Sequence, residues 1–256
     1  MEPTSGPPLD DHQYTVAGLR AYEGIYGRDF VSPGGRRTTT DILHRLDWRP
    51  GMSVLDVGCG LGGAIFMIAT DFGASAVGID LSRHMADAAA ERATSYELDA
   101  SVTVLHGDIL THELPSGFDI VHSREVFLHI HDKPALFARL FDLLVPDGQL
   151  LFTDYCRGPG PSTADFDEYV TEFGYDLRTV DEIGSLLSEA GFTDVRATDQ
   201  TNEFISIHQR ELDELGDSGL TTDEQDELRT GWLAKIDRAE RGEQRWGMFE
   251  ARRPAG

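Results

Sequence analysis

The chain has 256 residues, 40% hydrophobic and 26% charged, which fits an ordinary globular protein and excludes a disordered or collagenous one. Acidic side chains outnumber basic ones 45 to 22, for a net charge of −23, so nucleic-acid phosphates and anionic lipid are expected to be repelled. No apolar run approaches the ~18–20 residues of a membrane helix.

Residues 1–12 read as a tail rich in Pro and Gly, with neither the basic nor the apolar segment of a secretory signal. With two cysteines, Cys59 and Cys156, too few for a disulfide framework or a zinc cluster, a cytoplasmic setting is expected. Residues 13–27 carry Tyr14, Leu19, Tyr22 and Tyr26 at roughly helical spacing, and Ser32-Pro33-Gly34-Gly35 is a loop. Residues 38–47 read as a capped amphipathic helix.

An α/β alternation follows. Strands are predicted at Ser53–Val57, Ala76–Ile79, Val102–Leu105, Phe118–Val121 and Gln149–Thr153, with helices near 62–72, 82–96 and Pro134–Leu144 between them. That rhythm predicts a parallel sheet covered by helices on both faces. Residues 156–178 read as irregular to helical. A helix at 180–190, a strand at Thr193–Thr198, two charged helices within 202–243 and a closing strand at Trp246–Ala251 complete the chain. The division expected is one domain over 1–256: an N-terminal lid (1–50), a ligand-binding core (51–155), a cap with the sixth strand (156–243), and the last strand and tail (244–256). The lysines are Lys133 and Lys235, every other cation being arginine, which marks each lysine for attention.

The first strand runs into Asp56-Val57-Gly58-Cys59-Gly60-Leu61-Gly62-Gly63. Glycines there allow a tight turn and close approach to a ligand at the next helix's N-terminus. Asp80 ends the second strand, where a carboxylate can hold ribose hydroxyls. The loop alone fits two templates, since Gly58, Gly60 and Gly63 match a dinucleotide fingerprint, while Gly58, Gly60 and Gly62 match that of S-adenosylmethionine enzymes. Three further features favour the second. Asp56 sits two residues before the first glycine, His106-Gly107-Asp108-Ile109 follows strand three, and Phe118-Asp119-Ile120-Val121 leads to Pro146-Asp147-Gly148-Gln149-Leu150-Leu151. This set resembles class I S-adenosylmethionine-dependent methyltransferases, which implies a Rossmann-like, seven-stranded, mostly parallel sheet with helices on both faces and a helical substrate cap. A dehydrogenase and a catalytically silent cofactor-binding protein are the alternatives from other classes.

The match extends further. Gln13-Tyr14-Thr15, Tyr22-Glu23-Gly24-Ile25-Tyr26-Gly27, Ser32-Pro33-Gly34-Gly35, Ser123-Arg124-Glu125, Leu128-His129, Thr153-Asp154-Tyr155-Cys156 and Gln244-Arg245-Trp246-Gly247 resemble phosphoethanolamine N-methyltransferases, over about Gln13 to Ala251. The resemblance implies Tyr14 and His129 as the catalytic pair. It implies cofactor contacts at Gln13, Val31, Ser32, Asp56, Gly58, Gly60, Asp80, Leu81, Asp108, Ile109, Ser123 and Arg124. Tyr22, Tyr155, Tyr169, Phe173, Tyr175 and Lys235 fall around the substrate. Two positions depart from the family. Glu125 stands where an Asp is usual, and Phe173 stands where the phosphate-binding arginine aligns, leaving Arg178 or Lys235 to supply that charge.

The expected chemistry is in-line transfer of a methyl group from S-adenosyl-L-methionine to a small amine of the phosphobase type. A non-phosphorylated amine, glycine-derived or biogenic, is the alternative. An amine with a pKa of roughly 10 costs about 4 kcal/mol to present neutral at pH 7, at ~1.4 kcal/mol per unit. A tyrosine–histidine pair can take or relay that proton, and burial of the amine lowers its pKa. Aromatic faces hold methylated cations at ~0.5–2 kcal/mol each. No metal is expected, because the histidines and carboxylates show no ligand spacing. Whether the chain is a monomer or a dimer is left open.

Overall fold

The computed structural model describes residues 22–256. Among these residues seven strands form one sheet: β1 (Ser53–Val57), β2 (Ser75–Asp80), β3 (Val102–His106), β4 (Phe118–Arg124), β5 (Leu144–Arg157), β6 (Thr193–Asp199) and β7 (Gln244–Arg252). Their order is β3-β2-β1-β4-β5-β7-β6. β1 to β5 pair in parallel, and β7 runs antiparallel to both β5 and β6. The helices are α1 (Gly35–Leu43), α2 (Gly63–Asp71), α3 (Arg83–Ser95), α4 (Lys133–Leu143), α5 (Ala164–Glu172), α6 (Val180–Glu189), α7 (Thr201–Glu214) and α8 (Thr222–Glu240). Residues 22–26 are also helical. No described helix is long and apolar enough to cross a membrane.

Strand alternation divides the core. Val54, Leu151 and Met248 pack into one buried cluster, whereas their neighbours Leu55, Phe152 and Phe249 pack into another. Successive strand side chains point to opposite faces, so one sheet covers two helical layers. The first cluster also takes Phe204 from α7 and Trp232 from α8, which ties the late helices to the sheet.

The differences from the predicted elements have local causes. α1 starts at Gly35, three residues before the predicted start, behind a left-handed Gly34 with no side-chain cap. β4 continues through Ser123 and Arg124, and β5 extends from Leu144 to Arg157. Both lie in the middle of the sheet, where pairing on each side sustains a strand past the run of strongly apolar residues. The predicted 202–243 pair resolves into α7 and α8, the latter opened by a Thr221–Glu224 capping box.

The turn after β1 uses its glycines in two different ways. Gly58, Gly60 and Gly62 all have positive φ, whereas Gly63 does not. A Cβ on Gly62 would stand 2.3 Å from the Phe66 ring. Gly63 is needed for another reason, since its N–H donates to Asp29 O and a Cβ there would meet residues 29 and 30.

Candidate active site

A cavity of about 730 Å³ opens over the carboxyl ends of the strands, the position at which open α/β sheets bind ligands. One end is built on backbone. Gly58 N–H and Cys59 N–H donate to Ile79 O, stapling the glycine turn to β2. Asp80 accepts from Gly60 N–H at 2.8 Å and from Ser82 N–H at 2.9 Å, and Asp108 accepts from Leu110 N–H. Leu81, 56% exposed, Met85 and Ile109 border the same end. An apolar slot with carboxylates at its edges suits a flat heterocycle on a polyhydroxylated ring.

The other end is built from side chains. Tyr169, Phe173 and Tyr175 form a cluster with ring centroids 5.1–5.6 Å apart. Tyr175 meets the His129 imidazole edge-on at 5.1 Å. On α8, Lys235 Nζ lies 3.3 Å from Tyr155 Oη, and the Arg238 guanidinium lies over the Tyr169 ring at 3.9 Å. Arg238 Nε donates to Gln244 Oε1, which fixes the arginine's approach. Burial pulls the Lys235 ammonium down to about 8, and its charge persists below that pH.

His129 occupies a 3₁₀ turn (Phe127–His129) after β4. Burial, then the charge of Lys133 and that of His131, lower its pKa to about 4, so the imidazole is neutral near pH 7. Glu125 stands where β4 ends, with a left-handed φ of 53°. That conformation is costly for a non-glycine residue and is often held at functional sites. Its Oε1 accepts from Thr153 Oγ1 and Trp246 Nε1. Its Oε2 is buried, 3.4 Å from Arg124 Nη2, and has no hydrogen-bond partner among the described residues.

The structure brings together Tyr22, Val31, Ser32, Gly58, Gly60, Asp80, Leu81, Asp108, Ile109, Arg124, His129, Tyr155, Tyr169, Phe173, Tyr175 and Lys235 around this cavity. Gln13 and Tyr14 lie outside the described residues. Two expected contacts are set back from it. Asp56 is buried against His122, Nδ1 to Oδ1 2.6 Å, and borders only a hollow of about 30 Å³ shared with Gly58 and Arg124. Ser123 is buried too, donating its hydroxyl to Val57 O at 2.8 Å. In-register pairing of β1 with β4 sets Asp56 beside His122 and Val57 beside Ser123, and one hydrogen bond joins each pair inside the sheet, His122 Nε2 being buried without a partner among the described residues. Arg178 does not reach the cavity either, because it pairs with Asp176. Arg124 also ties the 32–35 loop to the sheet, its guanidinium donating to Pro33 O and Thr39 Oγ1.

Among the charged lining residues, Glu125, Glu224, Glu227 and Arg238 lie outside the expected set. Arg238 is legible as the i+3 neighbour of Lys235 on one helix face. Glu125 is legible as the residue after Ser-Arg. Among the described residues no cluster of three His, Cys, Asp or Glu is placed to hold a metal.

Residues 49–191 match the methyltransferase domain family. Phosphoethanolamine N-methyltransferase 1 of Arabidopsis thaliana is 42% identical over 250 residues, covering 95% of this chain and 50% of that protein. The chain thus spans about half the length of the first curated relatives it matches. Phosphoethanolamine N-methyltransferase of Plasmodium falciparum is 34% identical and is matched over 94% of its own length and 95% of this chain. Phosphoethanolamine N-methyltransferase 2 of Haemonchus contortus, solved with phosphomonomethylethanolamine and S-adenosylhomocysteine, superposes with a TM-score of 0.91 at 34% identity, over 96% of this chain and 59% of that one. With this fold, this cavity and a relative matched almost end to end, the chain belongs to the phosphoethanolamine N-methyltransferase family of class I methyltransferases.

Proposed function

We propose that this protein transfers methyl groups from S-adenosyl-L-methionine to the nitrogen of a phosphobase, phosphoethanolamine or a partly methylated form of it. The observation that carries this reading is the charge layout of one cavity. Lys235 and Arg238 stand on one helix face beside three tyrosines, and the same cavity holds the buried carboxylate of Glu125 and the neutral imidazole of His129. A phosphate at one end of a short molecule and an ammonium at the other match that layout.

The backbone-built end fits S-adenosyl-L-methionine. A Cβ on Gly58 would stand 2.1 Å from Val126, so the turn is shaped for close approach, and the Leu81 surface needs a partner. Asp80 would hold the ribose hydroxyls, Asp108 the adenine amine, and Leu81 and Ile109 the adenine faces. Val31, Ser32 and Arg124 would close over the methionine part. When bound, this molecule supplies an electrophilic methyl group on a sulfonium.

The chain's own residues do the rest. Lys235 and Arg238 bind the phosphate, each charge-assisted hydrogen bond contributing ~1.5–3 kcal/mol. Arg238 thereby supplies the charge absent at Phe173. Glu125 orients the ammonium. His129, neutral at working pH, takes or relays the amine proton, with Tyr14 as its proposed partner. The aromatic wall of Tyr22, Tyr155, Tyr169, Phe173 and Tyr175 excludes water and receives the growing cation.

Phe173 favours a second reading, methylation of a non-phosphorylated amine. S-adenosylhomocysteine release with phosphoethanolamine and with ethanolamine, side by side at equal concentration, separates the two. Turnover of phosphoethanolamine alone is expected. Turnover of ethanolamine alone, or of neither, contradicts the phosphobase reading.

A further inference from the structure

The turn that carries His129 is held from beneath by buried charge that the methyl-transfer reading does not use. Lys133, at the start of α4, is 1% exposed. Its Nζ donates to Phe127 O at 2.9 Å and to Ile130 O at 2.6 Å, the carbonyls on either side of the imidazole. It donates again to Asp176 O at 3.0 Å and lies 3.4 Å from Asp176 Oδ2. Asp176 N–H in turn donates to Leu128 O at 2.8 Å. From β5, the buried Asp154 carboxyl faces the backbone of Leu128, whose N–H favours its charged form. The carbonyls of one short turn are therefore held by two elements, α4 and the segment after α5, with the Asp154 carboxyl of β5 beside them.

That segment matters because it also carries Tyr175, the ring that meets His129, with Arg178 fastened to Asp176 behind it. A lysine spanning two backbone segments fixes their separation. Here the segments are the turn bearing His129 and the end of the aromatic wall.

We propose that Lys133 is a positioning residue for His129: it locks the turn bearing the imidazole to the segment bearing Tyr175 and sets a fixed positive charge beneath the ring. The proposal rests on the catalytic reading of His129 given above. Burial lowers the Lys133 pKa, and the Asp176 and Asp154 carboxyls together with three carbonyl acceptors work against that shift to favour the ammonium. Its charge disfavours a second cation on the neighbouring imidazole. The groups around His129 agree with this sign. Lys133 and His131 oppose its protonation, the Asp176 carboxylate is engaged by Lys133 and Arg178, and burial pushes the Asp154 carboxyl well up. The Glu125 carboxylate is bonded to Thr153 and Trp246, and burial raises Tyr155 so that its phenol stays neutral.

The test uses Lys133→Gln, which keeps N–H donors for the carbonyls and loses the charge, beside Lys133→Met, which loses both. The imidazole of His129 is titrated by NMR, with His129→Gln identifying its resonance, and kcat and KM are measured with phosphoethanolamine. In the parent protein the ring is expected to stay neutral down to about pH 4. In Lys133→Gln its midpoint is expected to rise by about one unit, a tenfold gain in proton affinity. Lys133→Met is expected to lose ~10–100-fold in kcat, the cost of a misplaced catalytic group. An unmoved midpoint with unchanged kcat in Lys133→Gln overturns the proposal. Full turnover by His129→Gln would instead refute the catalytic reading of the histidine, and the midpoint would still decide whether Lys133 sets its charge. Asp176→Asn, which keeps both backbone bonds but removes the carboxylate that pairs with Lys133 and Arg178, covers the case in which neither lysine variant folds: the His129 midpoint is expected to fall, and an unmoved or raised midpoint overturns the charge role of Lys133.

Discussion

The cavity end over β1, β2 and β3 is shaped by backbone, whereas the end under α5 and α8 is assembled from side chains. The first rests on a glycine turn stapled to Ile79 and on two carboxylates already bonded to their own loops. The second draws Glu125, His129, Tyr155, Tyr169, Tyr175, Lys235 and Arg238 from separate stretches of chain. A ligand held by backbone is recognised alike by every protein with that loop. A ligand held by side chains can change with a few substitutions, and the expected departure from the family at Phe173 lies at this end.

If the division holds, damage at one end leaves the other working. The largest effect is expected from His129→Ala, a loss of ~10²–10⁴ in kcat, the usual range for a removed acid–base group, with S-adenosylhomocysteine affinity by calorimetry unchanged. Asp80→Asn is the converse: affinity for S-adenosylhomocysteine falls by ~10–100-fold, the value of one charge-assisted bond, with preference among amines retained. A pH effect is smaller and sits at the side-chain end. Lys235 loses its proton above about pH 8, so its attraction for phosphate is present below that pH and lost above it. kcat/KM for phosphoethanolamine is therefore expected to decline as pH rises past 8, while S-adenosylhomocysteine affinity stays level. Leu81→Ala is expected to weaken S-adenosylhomocysteine binding by only ~3–10-fold, less than the ~1.5–3 kcal/mol that full burial of such a side chain is worth.

The same division explains what the sequence disclosed. The glycine turn, Asp80 and Asp108 are local features, each a few residues from a strand end, and their places follow from short windows. Strand pairing is less local. Asp56 and Ser123 sit in motif positions, yet their side chains bond to His122 and Val57 across β1 and β4, partners 66 residues away. Arg178 shows the limit most clearly. Its sequence position, three residues past Tyr175, is compatible with a phosphate contact, but Asp176, two residues away, captures it. The charge proposed in its place is that of Arg238, which a long-range contact between α8 and α5 sets over Tyr169. The expected order of strands and helices needed no such long-range information, because the alternation of apolar runs and amphipathic stretches carries it.

The most direct test is the ratio of kcat/KM for phosphoethanolamine to that for ethanolamine, measured in the parent protein and in the double variant Lys235→Met, Arg238→Met. The ratio is expected to fall by at least ~100-fold, two charge-assisted contacts being lost, while S-adenosylhomocysteine affinity stays the same. A ratio unchanged by the double substitution would contradict phosphate binding by α8, and would assign recognition of the phosphate to other residues.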